Sequence, residues 1–146
     1  QILSASPPWR LVVDTNVVLD LLHFLDPAAM RIRQAIDARR AQCYASSNTL
    51  AELSRVLSYP EFGLAPPAQT ALLTQYHSWI DSVTNVTPTH PALPRCADPD
   101  DQMFLELAAS VQADFLISKD KALLALKRRI NSFKILTPEE ARVYCI

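Results

Sequence analysis

Two short apolar runs break off abruptly into polar residues. Arg10-Leu11-Val12-Val13 stops at Asp14-Thr15-Asn16, and Phe115-Leu116-Ile117 stops at Ser118-Lys119-Asp120. Runs this short and continuously apolar predict strands covered on both faces, as in parallel sheets. Gln42 to Ala45 and Phe133 to Leu136 are two further strand candidates. Between them the pattern takes on a helical period. Val17 to Leu22 predicts a short buried helix, and Asp26-Pro27 supplies a cap and a first-position proline for an amphipathic one carrying Met30, Ile32 and Ile36. Ser46-Ser47-Asn48 caps a helix running to about Ser58, with Leu50, Leu53, Val56 and Leu57 on its inward face. Pro66-Pro67 opens another, which turns Leu72, Leu73, Tyr76, Trp79 and Ile80 inward. Four prolines between Thr87 and Pro99 predict an irregular connection. Beyond it, Asp100 or Asp101 caps a helix bearing Phe104, Leu105, Leu107, Ala108 and Val111. Ala122 to Arg128 predicts a short helix, and Thr137-Pro138-Glu139-Glu140 a capping box for a last one. Strands alternating with helices imply right-handed βαβ units and an α/β fold with a mostly parallel sheet.

A chain of 146 residues suits one domain, 1–146, in which residues 1–9 form an N-terminal extension. Composition narrows the chemistry further. A single glycine, Gly63, excludes phosphate cradles of the P-loop or dinucleotide type, which need several. Cys43, Cys96 and Cys145 form no CxxC pair, so neither a zinc knuckle nor a redox motif is indicated. His23, His77 and His90 have no metal-ligand spacing and read as surface or partly buried histidines. A net charge of −1 is not the broad basic footprint of a duplex-coating protein, so any nucleic acid would be held by few contacts. No apolar run approaches a membrane span, and residues 1–9 lack the features of a signal peptide. The expectation is a soluble cytoplasmic protein with no membrane contact.

In parallel sheets ligands bind beyond the carboxyl ends of the strands. Two strands here end in acid, at Asp14 and at Asp120, while Glu52 and Asp101 lie near helix starts. Taken singly, each has a structural reading. Asp14, Asp100, Asp101 and Asp120 suit helix caps, and Glu52, three after Thr49, suits a capping-box glutamate. Taken together at one sheet edge, they would repel by about 4 kcal/mol per close pair. They would then have to protonate or recruit a cation. Mg²⁺ or Mn²⁺ suits an all-oxygen site of this kind and can activate water for phosphoryl chemistry. Asn16 is placed to orient a carboxylate or touch a phosphate, and the Ser118 hydroxyl to hold a metal-bound water. A receiver-like phospho-acceptor is disfavoured, since Asp14-Thr15 supplies one acid where that class uses a pair.

Val12-Val13-Asp14-Thr15-Asn16-Val17, Leu50-Ala51-Glu52-Leu53, Asp98-Pro99-Asp100-Asp101-Gln102-Met103-Phe104-Leu105 and Leu116-Ile117-Ser118-Lys119-Asp120-Lys121 resemble, in order, the signatures of PIN domains. The likeness is strongest to the VapC-related group of toxins from toxin–antitoxin pairs, and it spans about Arg10 to Thr137. The resemblance implies a three-layer α/β/α fold and a Mg²⁺- or Mn²⁺-dependent ribonuclease. Asp14, Glu52, Asp101 and Asp120 would be its catalytic and metal-binding acids, supported by Asn16 and Ser118. Asp98 is the reserve for the third acid. An RNA substrate, an antitoxin partner and a homodimer are implied with it. The last motif departs from the usual Thr-Gly-Asp-Lys-Asp: Lys119 stands where a glycine is common, and Ala122 removes a carboxylate. Lys119 is therefore expected to neutralise part of the acid cluster or reach an RNA phosphate. The rival reading is a non-catalytic PIN-like module that binds nucleic acid or protein.

Overall fold

The computed structural model describes residues 8–24, 26–84, 86, 93–144 and 146. Residues 87–92 of the proline-rich connection, with His90, and also Cys145, lie outside the described residues. Five strands form one all-parallel sheet in the order β3-β2-β1-β4-β5. They are β1 (Trp9–Val13), β2 (Ala41–Ser46), β3 (Ile80–Val83), β4 (Phe115–Ile117) and β5 (Lys134–Leu136). Among the described residues six α-helices accompany them: α1 (Thr15–Leu19), α2 (Pro27–Asp37), α3 (Ser47–Leu57), α4 (Pro66–His77), α5 (Gln102–Ser110) and α6 (Lys121–Leu124). The three-layer α/β/α arrangement is the one expected.

Strand alternation divides the core in two. Leu11, Val13, Cys43, Phe115, Ile117 and Leu136 face a layer with Val17, Ile32, Leu53, Leu57 and Tyr76 from α1 to α4. Val12, Tyr44, Leu116 and Ile135 face the opposite layer, where Phe104, Leu105, Leu107 and Leu123 belong to α5 and α6. β1 and β4 are thus apolar on both faces, which is why they read as continuous hydrophobic runs.

Several elements differ from the sequence reading. β3 is not foreseen there. Its burial runs half-buried, exposed, exposed, half-buried at the sheet edge, so its residues show no strand period. Trp79 and Ile80 therefore do not continue α4, which ends at His77; Ile80 opens β3 instead. On α2 the fully packed positions are Ala28, Ala29, Ile32 and Ala35, while Met30 is only half-buried. The helix expected over Ala122 to Arg128 is one turn, α6, followed by a 3-10 turn at Lys127–Arg129. The Thr137 box forms as expected, with reciprocal Thr137 and Glu140 bonds of 2.9 and 3.1 Å, but it opens a 3-10 turn, Glu140–Tyr144.

Only one glycine serves the whole chain, so helix ends use other residues. Arg39 after α2 and Gln112 after α5 take left-handed φ values of 62° and 53°. At each, paired bonds close the end: Arg40 N–H to Ala35 O at 2.8 Å, and Ala113 N–H to Ala108 O at 2.9 Å. This is the Schellman arrangement with a side chain where glycine is preferred.

Candidate active site

β1 leaves the sheet toward β2, whereas β4 lies on its other side. The crevice between their carboxyl ends is therefore the point where strand order reverses. Register fixes what meets there. Val13 pairs with Ile117, and the Asp14 N–H donates to Ile117 O at 3.0 Å, so Asp14 and Ser118 emerge side by side. The Ser118 hydroxyl, fully buried, donates to Asp14 Oδ2 at 2.7 Å and accepts the Asp120 N–H at 2.9 Å. One side chain thereby ties the acid after β1 to the acid after β4. The proton of that hydroxyl is committed to Asp14, so Ser118 positions carboxylates rather than standing free for a water.

Asp14 is 3% exposed and makes no side-chain cap to α1. Burial raises its pKa from 3.8 to about 6, against the lowering effect of the Ser118 hydroxyl and the Thr15 N–H. The negative charges of Asp120 and Glu52 push it up further. Asp101 is also buried, at the start of α5, and makes no cap either. Burial, a hydrogen bond shared with Asp120, and the charges of Asp14, Asp120 and Asp98 hold its carboxyl far above the usual carboxylate range. Its Oδ2 is buried without a partner, as is the Thr15 hydroxyl beside Asp14. Oxygens left in this condition cost about 1–3 kcal/mol each, which a proton or a cation would offset.

Asp120 does two things. Its Oδ1 accepts the Ala122 N–H at 2.7 Å, capping α6, while its charge acts on both Asp14 and Asp101. Asp98 is exposed and spends Oδ1 on the Asp100 N–H at 3.0 Å, capping the 3-10 turn Pro99–Asp101. Asp100 is exposed. Of the three clustered aspartates it is thus Asp101 that turns inward, while Asp98 takes the capping role expected of Asp100 or Asp101.

Glu52 lies on the second turn of α3, close enough for its charge to act on Asp14. It is not a capping-box residue: Ser46 and Thr49 form that box themselves. Instead Glu52 pairs with Arg55, whose other arm donates to the Tyr59 hydroxyl at 2.8 Å. Asn16 is exposed on the first turn of α1. Lys119 does not join the acids as expected; it pairs with buried Asp20, in the widened turn that follows α1. Sequence reading passed over Arg55, Asp20 and Thr15. The i,i+3 spacing of Glu52 and Arg55 was a visible signal. Asp20 and Lys119 stand 99 positions apart and gave none.

Among the described residues, no three His, Cys, Asp or Glu side chains stand close enough to enclose an ion unaided. A Mg²⁺-like ion needs only one or two carboxylates and keeps several waters. The all-oxygen donor set, the orphaned Asp101 oxygen and the raised carboxyl pKa values suit such a cation. His23 and His77 are exposed, and burial pushes the Cys43 thiol up to about 11, where it is no nucleophile. Cys96 is a buried free thiol. Two hollows of about 520 and 580 Å³ lie at the opposite, amino ends of the strands, and none of the four acids lines them. No helix among the described residues is long and apolar enough to cross a membrane.

Comparison with solved structures finds the same fold. One chain of VapBC2 from Rickettsia felis, bound to a DNA fragment from its promoter, superposes with a TM-score of 0.61 at 13% identity, covering 86% of this chain and 96% of that one. PAE2754 from Pyrobaculum aerophilum gives 0.60 at 19% identity, covering 94% and 89%. The PIN domain endonuclease Utp24 gives 0.53 at 18%, covering 90% and 86%. No curated protein matches in sequence. A family profile described as PIN domain matches residues 10–122, from β1 through the Asp120 cap. The chain belongs to the PIN-domain family.

Proposed function

We propose that this protein is a metal-dependent RNA endonuclease, acting as the toxin of a toxin–antitoxin pair. The observation that carries the reading is the convergence of Asp14, Asp101 and Asp120 at the sheet's switch point, two of them held at raised pKa with a buried oxygen unpartnered. Asp14, Asp101 and Asp120 would hold Mg²⁺ or Mn²⁺, with Glu52 joining once it leaves Arg55. The cation would supply Lewis-acid stabilisation of phosphoryl charge and a more acidic water.

The chain's own residues do the rest. Ser118 fixes the separation of Asp14 and Asp120 through its two hydrogen bonds. Burial keeps the carboxylates poorly solvated, which favours a cation over bulk water as their partner. Asn16, exposed at the cleft, is placed to donate to a phosphate oxygen. The modest net charge suits a single strand held by few contacts. The VapBC2 likeness supports a small-protein antitoxin as a partner. A homodimer and a cytoplasmic setting belong to the same reading.

A second reading, a non-catalytic module, is favoured by the Glu52–Arg55 pair and by the lack of a closed three-acid group. Cleavage of a mixed RNA pool separates the two. The nuclease reading expects degradation with Mg²⁺ or Mn²⁺ that stops on chelation and in Asp14→Asn and Asp101→Asn. Undiminished cleavage in both variants would assign the activity to a contaminant and leave the module reading standing.

A further inference from the structure

Building on the nuclease reading, we propose that Arg55 takes hold of an RNA phosphate beside the acids, and that it becomes free to do so when Glu52 turns to the cation. Arg55 stands three residues after Glu52 on α3; its side chain is 54% exposed and that of Glu52 only 13%. The pair therefore runs from solvent inward to a carboxylate whose charge reaches Asp14. Arg55 Nη2 bonds Glu52 Oε1, and Nη1 donates to the Tyr59 hydroxyl at 2.8 Å. The guanidinium lies 6.0 Å from the centre of the Tyr59 ring. It also feels the charge of Asp100, on the turn that leads into α5, and α5 packs against α3. Arg55 is thus a cation posted beside the acid group, held by one of its members.

Two features suit this guanidinium to a second anion. First, its present partner is one it can lose. An i,i+3 ion pair with an exposed arginine is weak, whereas a divalent cation attracts the same carboxylate with twice the charge. Glu52 therefore leaves Arg55 at little cost once a cation sits on the neighbouring acids. Second, Arg55 does not drift away when Glu52 leaves. Tyr59 still holds Nη1, and Tyr59 is itself fixed by its N–H bond to Val56 O at 3.0 Å and by the 3-10 turn Pro60–Phe62 that follows it. The rest of the fork then stands beside the acids without its carboxylate, and phosphodiester oxygens match its geometry and charge. Lys119 does not serve in this place, because its ammonium is paired with buried Asp20. In the metal-free protein Glu52 keeps Arg55 occupied, so metal and RNA each favour binding of the other.

The test takes metal and RNA separately. Mn²⁺ alone is titrated by calorimetry into wild type, Arg55→Gln, Glu52→Gln and the double variant. Arg55→Gln should bind Mn²⁺ about two- to fivefold more tightly than wild type, and the gain should vanish in the Glu52→Gln background. A fluorescein-labelled single-stranded RNA of mixed sequence is then titrated by anisotropy, once in chelator and once in Ca²⁺, which takes oxygen ligands at longer distance and leaves the strand intact. In Ca²⁺, Arg55→Gln should weaken RNA binding about tenfold and Arg55→Lys by less; in chelator, wild type and Arg55→Gln should bind alike. A wild type that binds no Mn²⁺ would overturn the nuclease reading and this inference together. If wild type does bind Mn²⁺, this inference alone falls on any of three results. They are an unchanged Mn²⁺ affinity in Arg55→Gln, equal RNA binding by the two proteins in Ca²⁺, and an RNA loss of equal size with and without the cation.

Discussion

Replacing Asp14 by Asn should make the metal-free protein more stable while removing a proposed metal ligand. Burial raises the Asp14 pKa from 3.8 to about 6, so folding favours its neutral form. The sign follows from proton linkage: the folded state binds this proton more tightly, so its stability is greatest below 3.8 and declines as pH rises to about 6. Above that the loss levels off at about 3 kcal/mol, from a shift of about two units at 1.36 kcal/mol each. Asn keeps an oxygen for the Ser118 hydroxyl and carries no charge. The variant should therefore gain about 3 kcal/mol at pH 7.5, falling to about half of that at pH 5. Urea denaturation in a chelator at the two pH values measures this. Equal stability of the two proteins at pH 7.5, or a gain that does not shrink on acidification, would refute the claim that an uncompensated buried charge sits at the end of β1.

Three further outcomes follow from the same contacts. Ser118→Ala should cost about 2–3 kcal/mol, because one buried carboxylate and one N–H lose their partner together. It should also move the Asp14 titration, followed by carboxyl NMR, upward from wild type, whereas Ser118→Thr should retain the wild-type value. Asp20→Asn and Lys119→Ala should each destabilise, and a double-mutant cycle should show coupling of about 1 kcal/mol, modest because Lys119 is half-exposed. Coupling near zero would mean the pair does not tie the Ser118–Asp120 loop to α1. Arg39→Gly should stabilise by about 0.5–1 kcal/mol in chemical denaturation, since the left-handed φ there penalises a side chain more than glycine loses in chain entropy.

Most of the fold was legible because its strands are covered on both faces. Leu11-Val12-Val13 and Phe115-Leu116-Ile117 supply apolar side chains to the α1–α4 layer and the α5–α6 layer alternately, leaving no position for a polar residue. Caps were equally readable where they are local: Asp26 before Pro27, Ser46 before α3, and the Thr137–Glu140 box all act within three positions. β3 was hidden because an edge strand need not be apolar on either face. Its pairing with β2, including Tyr44 with Asp81, is fixed by neighbours that the sequence order alone does not reveal. The last helix was overread, since a good capping box specifies where a turn starts and not how long it continues.

The acids show why site residues are harder to read than strands. An aspartate after a strand and an aspartate in a helix cap look alike in sequence, and here both descriptions apply to Asp120, whose one oxygen caps α6 while its charge bears on Asp14 and Asp101. What separates Asp101 from Asp98 is three residues of 3-10 turn. Asp98 begins that turn and spends its side chain on the Asp100 N–H; Asp101 ends it, and the reversal carries its carboxyl into the cleft. The pairing of Asp14 with Ser118 depends in turn on the β1–β4 register, because a slip of one residue would place Ser118 opposite Val13 and point it to the other face of the sheet. That register is held by apolar packing and, at the amino ends of the two strands, by the Asp114 carboxylate, which accepts the Arg10 N–H at 2.8 Å. The chemistry at the strand ends is therefore set by the same Leu, Val and Ile positions that make the strands visible, and a core substitution that shifts β4 would separate the acids without touching one of them.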